Sequence, residues 1–534
     1  MFATFKKKTR LKSACLPATM GATMSASGEI LDLYNELLRR AEELITLGSA
    51  ESILNWDMET MMPPGGVELR SRQLNLIERI GHKMATDPEL GRLISKILSH
   101  PSSGMLNEVQ SRNVYLMKKA YDESTRLPED LVGETAKQRA VTINIWKRAK
   151  ASGDYSILKP ELEKLFELTM KAAEMLMDVK EAKNPYDALI DLYEPKVTSD
   201  GISSLFNEMK NGLSQIIRKC GADGLDTPLL GLRVPIQEQR KIAGLLANFL
   251  GYDTSSKDAR GRIDETEHPF TTGYYDDVRI TTHYFEDRFL SSIYSVLHEG
   301  GHAIYEQELP REWIFQPVGS ACSTGFHESQ SRLVENMIGR SPEFLSFLLP
   351  RLREIIQGAS SSIELNDLIQ AVNRVAPSKI RIEADEVTYG LHIIIRFEIE
   401  KDLFNGRLTV AELPSAWNEK YEDYLGVEVQ NDSEGVMQDT HWAGGSFGYF
   451  PSYALGNIYG GMILEALQRD VTDWRDRIAQ GSFAEVKSWL REHVYRYGSL
   501  YDPRDLLRVA TGCELSVDPF IKYLYEKYSK LYGF

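Results

Sequence analysis

The chain has 534 residues, 42% hydrophobic and 26% charged, the balance of an ordinary globular protein with ample chain for a large core. Its formal net charge of −15 argues against a nucleic-acid partner, and no apolar run approaches the ~20 residues that span a bilayer. Four scattered cysteines (Cys15, Cys220, Cys322, Cys513) lack metal-ligand spacing and read as reduced thiols of a cytoplasmic protein.

Residues 1–28 stand apart. Lys6, Lys7, Lys8, Arg10 and Lys12 are basic, Ser, Thr and Ala are frequent, and the first acidic residue is Glu29. The segment reads as an organelle-targeting extension or as a disordered tail, outside the fold either way. From Ile30 helix follows helix. Leu31, Leu33, Tyr34, Leu37, Leu38, Ala41 and Ile45 recur at helical spacing. Asn55-Trp56-Asp57 through Met62-Pro63-Pro64-Gly65-Gly66 reads as a turn. Helical periodicity resumes over 69–93, 109–121, 128–149 and 158–179, breaks at Asn184-Pro185-Tyr186, and continues over 199–220. Neither an internal repeat nor a long linker is evident, so residues 29–534 are expected to form one mostly α-helical unit, in two lobes that share a cleft.

Residues 268–282 differ. They are rich in β-branched and aromatic side chains with turn formers, and 277–282 alternates polar and apolar as a short strand does. The segment is either a plain surface hairpin or, given its place just ahead of a histidine-bearing helix, an exposed edge along which a peptide backbone can pair.

That helix carries His298-Glu299-Gly300-Gly301-His302. On a helix, positions four apart share a face, so two imidazoles point at one spot, and Glu299 lies near enough to hold a water there. This is the H-E-x-x-H pattern of a zinc peptidase, although a helix carrying two histidines and a glutamate by chance is a real alternative. The two glycines each weaken a helix by about 1 kcal/mol. They are tolerated where another group approaches the backbone closely. A third ligand is expected downstream, in Gly325-Phe326-His327-Glu328-Ser329-Gln330-Ser331-Arg332, which opens a second apolar-periodic helix over 333–349. His327 and Glu328 face different ways, so one of them binds. Glu328 is preferred, because two histidines and one carboxylate leave a position open for water. Taken alone, Glu328 would be an ordinary first-turn carboxylate favoured by the helix dipole. Five of the ten histidines (His268, His283, His298, His302, His327) fall in this region, as a metal or proton-transfer site would need.

The separated motifs, in this order, resemble the carboxypeptidase Taq family of zinc metallocarboxypeptidases. They are Trp56-Asp57 with Met62-Pro63-Pro64-Gly65; His268-Pro269-Phe270; Asp277-Val278-Arg279-Ile280-Thr281; His298-Glu299-Gly300-Gly301-His302; and His327-Glu328-Ser329-Gln330-Ser331-Arg332. Ile380-Arg381-Ile382-Glu383-Ala384-Asp385 and Gly435-Val436-Met437-Gln438-Asp439-Thr440-His441-Trp442 complete the set. The resemblance runs from about Leu31 to the C-terminus. It implies an all-α, two-lobed helical clam-shell with a deep central groove and a small β-hairpin or short sheet beside the active site, often as a homodimer. It also implies Zn2+ as cofactor, with Co2+ as a substitute, and broad-specificity release of single residues from peptides with a free C-terminus. The chain is more distantly similar to the angiotensin-converting-enzyme-like peptidases, which share Gly-Phe-His-Glu beside the metal. Many zincins with a glutamate ligand carry Asp four residues after it. Here Arg332 stands there, which leaves Glu335 as the candidate to orient a ligand histidine.

Residue roles derive from the resemblance and the chemistry. His298, His302 and Glu328 bind the metal and Glu299 is the base. Arg381 receives the terminal carboxylate, with Gln438 beside it; the plain alternatives are a surface arginine paired with Asp385 or Glu383, and a turn-capping amide. His441 and Tyr449 donate to the oxyanion, and Tyr453 and His268 contact substrate, although Tyr449 and Tyr453 would equally serve as core aromatics. A zinc oligopeptidase or dipeptide-releasing carboxypeptidase is the rival within this chemistry. A non-catalytic, zinc-stabilised binding protein is the rival outside it; a closed four-ligand site would not need Glu299.

Overall fold

The computed structural model describes residues 19–221 (19–27 by their backbone alone), 229, 232–356 and 363–534. Four helices come first: α1 (Thr19–Thr60), α2 (Val67–Ala85), α3 (Pro88–Ser99) and α4 (Glu108–Arg126). Ile30, Tyr34, Leu37 and Ala41 share one face of α1 and bury against Leu90, Leu93, Ile94 and Ile97 of α3 and Val114 and Met117 of α4. This small core is distinct from the main one.

Two expectations shift here. Residues 19–28 belong to α1 and not to a tail; residues 1–18, with the rest of the expected targeting segment, lie outside the described residues. The helix also continues through Asn55-Trp56-Asp57 and ends at Thr60, before Pro63 and Pro64. Tertiary contacts carry it past the expected break. The guanidiniums of Arg262 and Arg279 lie 4.6 and 4.2 Å from the buried Trp56 ring, and Asp57 pairs with Arg70 at 2.7 Å. The helix expected over 69–93 is two, split where Asp87 caps Glu89 N and Pro88 takes the first position of α3.

Next come α5 (Glu129–Ser152), α6 (Tyr155–Leu176), α7 (Pro185–Ile190), α8 (Ser199–Cys220) and α9 (Ile236–Leu250). The side chains of Asp154, Asn184 and Thr198 cap α6, α7 and α8, so the Asn184 break is a helix start. A three-stranded sheet comes after them: β1 (Gly261–Glu265), β2 (Thr271–Tyr274) and β3 (Asp277–Thr282), in the order β1-β3-β2. β3 is parallel to β1 and antiparallel to β2. The strand expected at 277–282 is therefore present, but it is the central strand. Both its edges are paired, so it cannot offer one to a peptide.

The chain then runs through α10 (Phe289–Glu308), α11 (Thr324–Arg332) and α12 (Pro342–Ile355). The single helix expected over 333–349 is interrupted. A π-helical turn over Leu333–Ile338 extends α11, and Ser341 caps a new start with Pro342 at its first position. The remaining helices are α13 (Leu365–Val372), α14 (Tyr389–Phe404), α15 (Leu413–Leu425), α16 (Phe450–Asp470), α17 (Trp474–Ala479), α18 (Ala484–His493), α19 (Pro503–Thr511) and α20 (Asp518–Tyr532). α16 is buried nearly all round and packs against α11, α14, α19 and α20, so the C-terminal half is built about it.

Candidate active site

Two close helix contacts assemble the site. A Cβ at Gly301 of α10 would lie 2.7 Å from the Gln330 carbonyl oxygen and from Ser331 Cα of α11. A Cβ at Gly456 of α16 would lie 2.7 Å from Glu328 Cγ. The glycine of the H-E-x-x-H pattern thus admits the backbone of α11, and a second glycine seats Glu328 from below. As a result, one ligand atom each from His298, His302 and Glu328 lies within 4.8 Å of the others. Glu328 Oε2 is 3.7 Å from His298 Nε2 and 3.4 Å from His302 Nε2. Glu328, not its neighbour His327, reaches the Nε2 atoms of both histidines.

Behind this trio each imidazole is held by its other nitrogen. His298 Nδ1 lies 2.8 Å from Glu335 Oε2. His302 Nδ1 lies 2.5 Å from His327 Nδ1, and His327 Nε2 lies 2.8 Å from Glu306 Oε1. For Nε2 of His298 and His302 to bind a metal, both Nδ1 atoms must carry the protons, and the second chain then donates from His302 through His327 to Glu306. In the metal-free protein burial would lower His298, but Glu328 and Glu335 overcome it and push His298 up to about 9, so it is charged there. Arg332 fills the place of the expected aspartate differently. Its Nε donates to Glu328 Oε1 at 2.7 Å and its Nη1 to Glu335 Oε2 at 3.3 Å, so it ties the two carboxylates together. Burial alone would raise both acids. Arg332 with His298 and His302 instead holds Glu328 far below the usual carboxylate range, and Arg332 with His298 brings Glu335 down to about 2. Burial and His327 push His302 down to about 3, the neutral form a ligand needs.

Glu299 is buried beside the trio. Thr271 of β2 donates its hydroxyl to Glu299 Oε2 at 2.6 Å, so the sheet positions this carboxylate. Burial raises its pKa, with the charge of His298 pulling the other way. Thr271 was not legible from spacing, since it meets Glu299 only through the fold.

The remaining candidates fall in a second cluster, linked to the first. The Arg332 guanidinium lies 4.1 Å from the Tyr389 ring, and the Tyr389 hydroxyl accepts from Arg381 Nη1 at 3.1 Å. Arg381 is neither exposed nor paired with Asp385 or Glu383. It is 7% exposed, and its Nη2 donates to Asp439 at 2.8 Å. The fully buried Arg396 pairs with the same Asp439 at 2.7 Å. Two guanidiniums sharing one carboxylate leave one positive charge. Gln438 does not stand free beside Arg381 as expected. Its oxygen accepts from Arg381 N and Arg396 Nη2, and its amide donates to the carbonyls of Lys379 and Glu434. All its hydrogen-bonding capacity is spent, so it braces the loop and cannot also hold a substrate carboxylate.

His441 Nε2 lies 3.3 Å from the Tyr453 hydroxyl, while its buried Nδ1 has no partner among the described residues. Burial, with Asp439 opposing, brings His441 down to about 4, so it is neutral near pH 7. Tyr449 packs edge-on to Tyr453, their ring centroids 5.2 Å apart. Burial and the charge of Glu328 push Tyr449 up to about 12, so it keeps its proton, and Tyr453 feels the same carboxylate. Tyr453 lies against the arginine cluster, its ring 5.2 Å from the Arg381 guanidinium, and Tyr449 packs beside it and beside His441. His268 is exposed on the loop between β1 and β2, three residues before Thr271.

This arrangement agrees with the comparisons. The family model of carboxypeptidase Taq (M32) metallopeptidase matches residues 36–528. Thermostable carboxypeptidase 1 of Thermus thermophilus is 40% identical over 509 residues, which cover 94% of this chain and 99% of that protein. Carboxypeptidase 1 of Bacillus subtilis is 37% identical, with 93% and 98% covered. The crystal structure of the M32 carboxypeptidase from Deinococcus radiodurans R1 superposes with a TM-score of 0.89 at 34% identity, covering 94% of this chain and 100% of that one. Trypanosoma cruzi metallocarboxypeptidase 1 gives 0.88 at 33% identity, with 93% and 99% covered. The match spans nearly the whole chain, and the chain belongs to the carboxypeptidase Taq (M32) family of metallopeptidases: it is a metallocarboxypeptidase, dependent on a divalent metal and acting on peptides.

Proposed function

We propose that this metallocarboxypeptidase uses zinc, with cobalt as a working substitute, held by His298 Nε2, His302 Nε2 and a Glu328 oxygen. The donor set supports this reading: two imidazoles and one carboxylate converge, each imidazole backed at Nδ1, with a coordination position left over. When bound, the ion supplies Lewis acidity to the scissile carbonyl and to the attacking water. Glu299, raised by burial and steadied by Thr271, takes the proton from that water and delivers it to the leaving amine. Tyr449 as phenol and His441 as neutral imidazole donate to the oxyanion. Arg381, at the edge of a cluster with one surplus positive charge, receives the terminal carboxylate and so places the last peptide bond at the reacting groups. Tyr453 and His268 contribute further substrate contacts.

The observation that carries this reading is the convergence of His298, His302 and Glu328 beside the buried Glu299. Mass spectrometry of digests of an N-blocked peptide tests it. Single residues should leave one after another from a free C-terminus, a chelator should stop the reaction, and Zn2+ or Co2+ should restore it. Internal cleavage, dipeptide release or indifference to the chelator would overturn it. Homodimerisation and a cytoplasmic location belong to the same proposal. The three described cysteines are free, which suits a reducing compartment, and light scattering should give twice the 60.5 kDa chain mass.

A further inference from the structure

Both proposed oxyanion donors lie on the loop 441–449, and one buried side chain ties down its two ends. Glu400 of α14 is fully buried. Its Oε1 accepts the indole N–H of Trp442, next to His441, at 2.7 Å. Its Oε2 accepts the backbone N–H of Gly448, next to Tyr449, at 2.9 Å, and the hydroxyl of Tyr186 on α7 at 2.8 Å. All three partners are donors, a set that a carboxylate satisfies on both oxygens. Between the anchors the chain turns through Gly445 and Gly448, with φ of 72° and 83°. Gly448 passes so near α7 that a Cβ there would lie 2.9 Å from the carbonyl carbon of Leu189. The loop is thus seated against α7 and bound to α14.

The geometry points to Glu400 as a positioning residue that clamps both ends of the loop 441–449 and so holds His441 and Tyr449 where the oxyanion develops. This deepens the proposed role of the loop in the peptidase reaction and rests on it. Glu400 acts through Trp442 and Gly448, not by touching substrate. In Glu400→Gln the volume is kept but one oxygen becomes an NH2 donor. The Tyr186 hydroxyl can turn to accept from it, whereas Trp442 Nε1 and Gly448 N can only donate. One end of the loop is therefore released.

The test is steady-state kinetics on an N-blocked peptide with a free C-terminus, with metal content and thermal midpoint determined for each protein. The variants are Glu400→Gln, Trp442→Phe, Tyr186→Phe, Tyr449→Phe, His441→Ala and the Glu400→Gln/Tyr449→Phe double. Glu400→Gln should lower kcat about ten- to a hundred-fold, the scale expected for a reacting group displaced by about 1 Å, with KM and metal content little changed. Trp442→Phe frees one end only and should fall in the same direction by less; it carries the test if Glu400→Gln does not fold. Tyr186→Phe removes a donor from α7, not from the loop, and should leave kcat within about threefold of wild type. The double variant should lose less than the product of its single losses, because the group that Glu400 places is already impaired. Independent, multiplicative losses would overturn the proposal. So would a near-wild-type kcat for both Glu400→Gln and Trp442→Phe while Tyr449→Phe or His441→Ala is impaired. If Tyr449→Phe and His441→Ala both turn over at the wild-type rate, the proposal falls together with the loop's oxyanion role, and the metal site stands.

Discussion

Glu299 and Glu328 are both buried carboxylates of one site, yet their surroundings drive them apart. Burial leaves Glu299 with a raised pKa, as a base needs, against the His298 charge and the Thr271 hydrogen bond that pull it down, while Arg332 and two histidines keep Glu328 ionised, as a ligand needs. Glu299→Gln should therefore retain metal and lose at least ~10²-fold in kcat, because an amide cannot take the water's proton. Turnover near the wild-type rate with metal content confirmed would remove Glu299 from the mechanism. Metal retention should itself be graded. His298→Ala, His302→Ala and Glu328→Ala each remove a direct ligand. His327→Ala and Glu335→Gln remove only the support behind one, which costs about 10–100-fold in affinity. Competition with a chelator resolves the two classes, and equal losses throughout would show that the supports coordinate directly. Spacing alone made His298, Glu299 and His302 legible, since helix geometry fixes their relation. Glu306, Thr271 and Asp439 were not legible, because each meets its partner only after distant segments pack.

At the scale of elements, the periodic face of α1 and the bounds of α8 and β3 were readable, because α1 and α8 each keep one side in solvent, a cap marks the start of α8, and the alternation of side chains marks β3. α14 and α16 carry buried residues around nearly their whole circumference, so no polar face announces them. The glycines of α10 were readable as places of close approach, and their two contacts differ. At Gly301 the obstacle is the backbone of α11; at Gly300 it is Leu250 Cδ1, the mobile end of a side chain, 2.4 Å from the added Cβ. Gly301→Ala must push α11 from α10 and should cost about 1–3 kcal/mol of stability. It should also lower metal affinity, whereas Gly300→Ala should do less of both; calorimetry and chelator competition check this, and the reverse order would refute it. The start of α11 adds a pH term. The buried Glu194 accepts from Gly325 N, and burial raises its pKa to about 7 against an ordinary 4.5, despite that bond. The native state then holds a proton that the unfolded chain has released. The stability this group contributes is fully present below pH 4.5 and is lost as pH rises through 7. For the metal-free protein the loss between about pH 5 and 8 should be roughly 2–3 kcal/mol from this group. Glu194→Gln should remove that part of the slope in urea unfolding; equal slopes would show that Glu194 does not titrate there.

Across the whole molecule, the metal-type trio and the arginine cluster are joined through Arg332, Tyr389 and Arg381, so two charged centres stand at a fixed separation. An enzyme that works from a chain end needs such a ruler: one centre takes the terminal carboxylate, the other the adjacent peptide bond. Arg279 and Arg332 are poor alternatives as the carboxylate receptor. Arg279 pairs with Asp277 and stacks on Trp56, and Arg332 bridges Glu328 and Glu335. Arg381 is also engaged, but with Arg396 it shares a single acid, Asp439, and the surplus charge remains. Loss of a charge-assisted contact to the substrate is worth about 1.5–3 kcal/mol. Arg381→Ala should therefore lower kcat/KM roughly ten- to a hundred-fold on peptides with a free C-terminus. C-terminally amidated peptides lack the full negative charge, so they should start poor and hardly worsen. Arg381→Lys should rescue only in part, since an ammonium keeps the charge without the planar fork that reaches Asp439 and a second carboxylate together. The comparison is kcat/KM for acid and amide peptides across the three proteins. Equal losses on both substrates would mean that Arg381 matters through Asp439 and the loop behind it. The surplus charge would then act through Arg396 or not at all, and the proposed basis for exopeptidase action would fail while the metal chemistry survived.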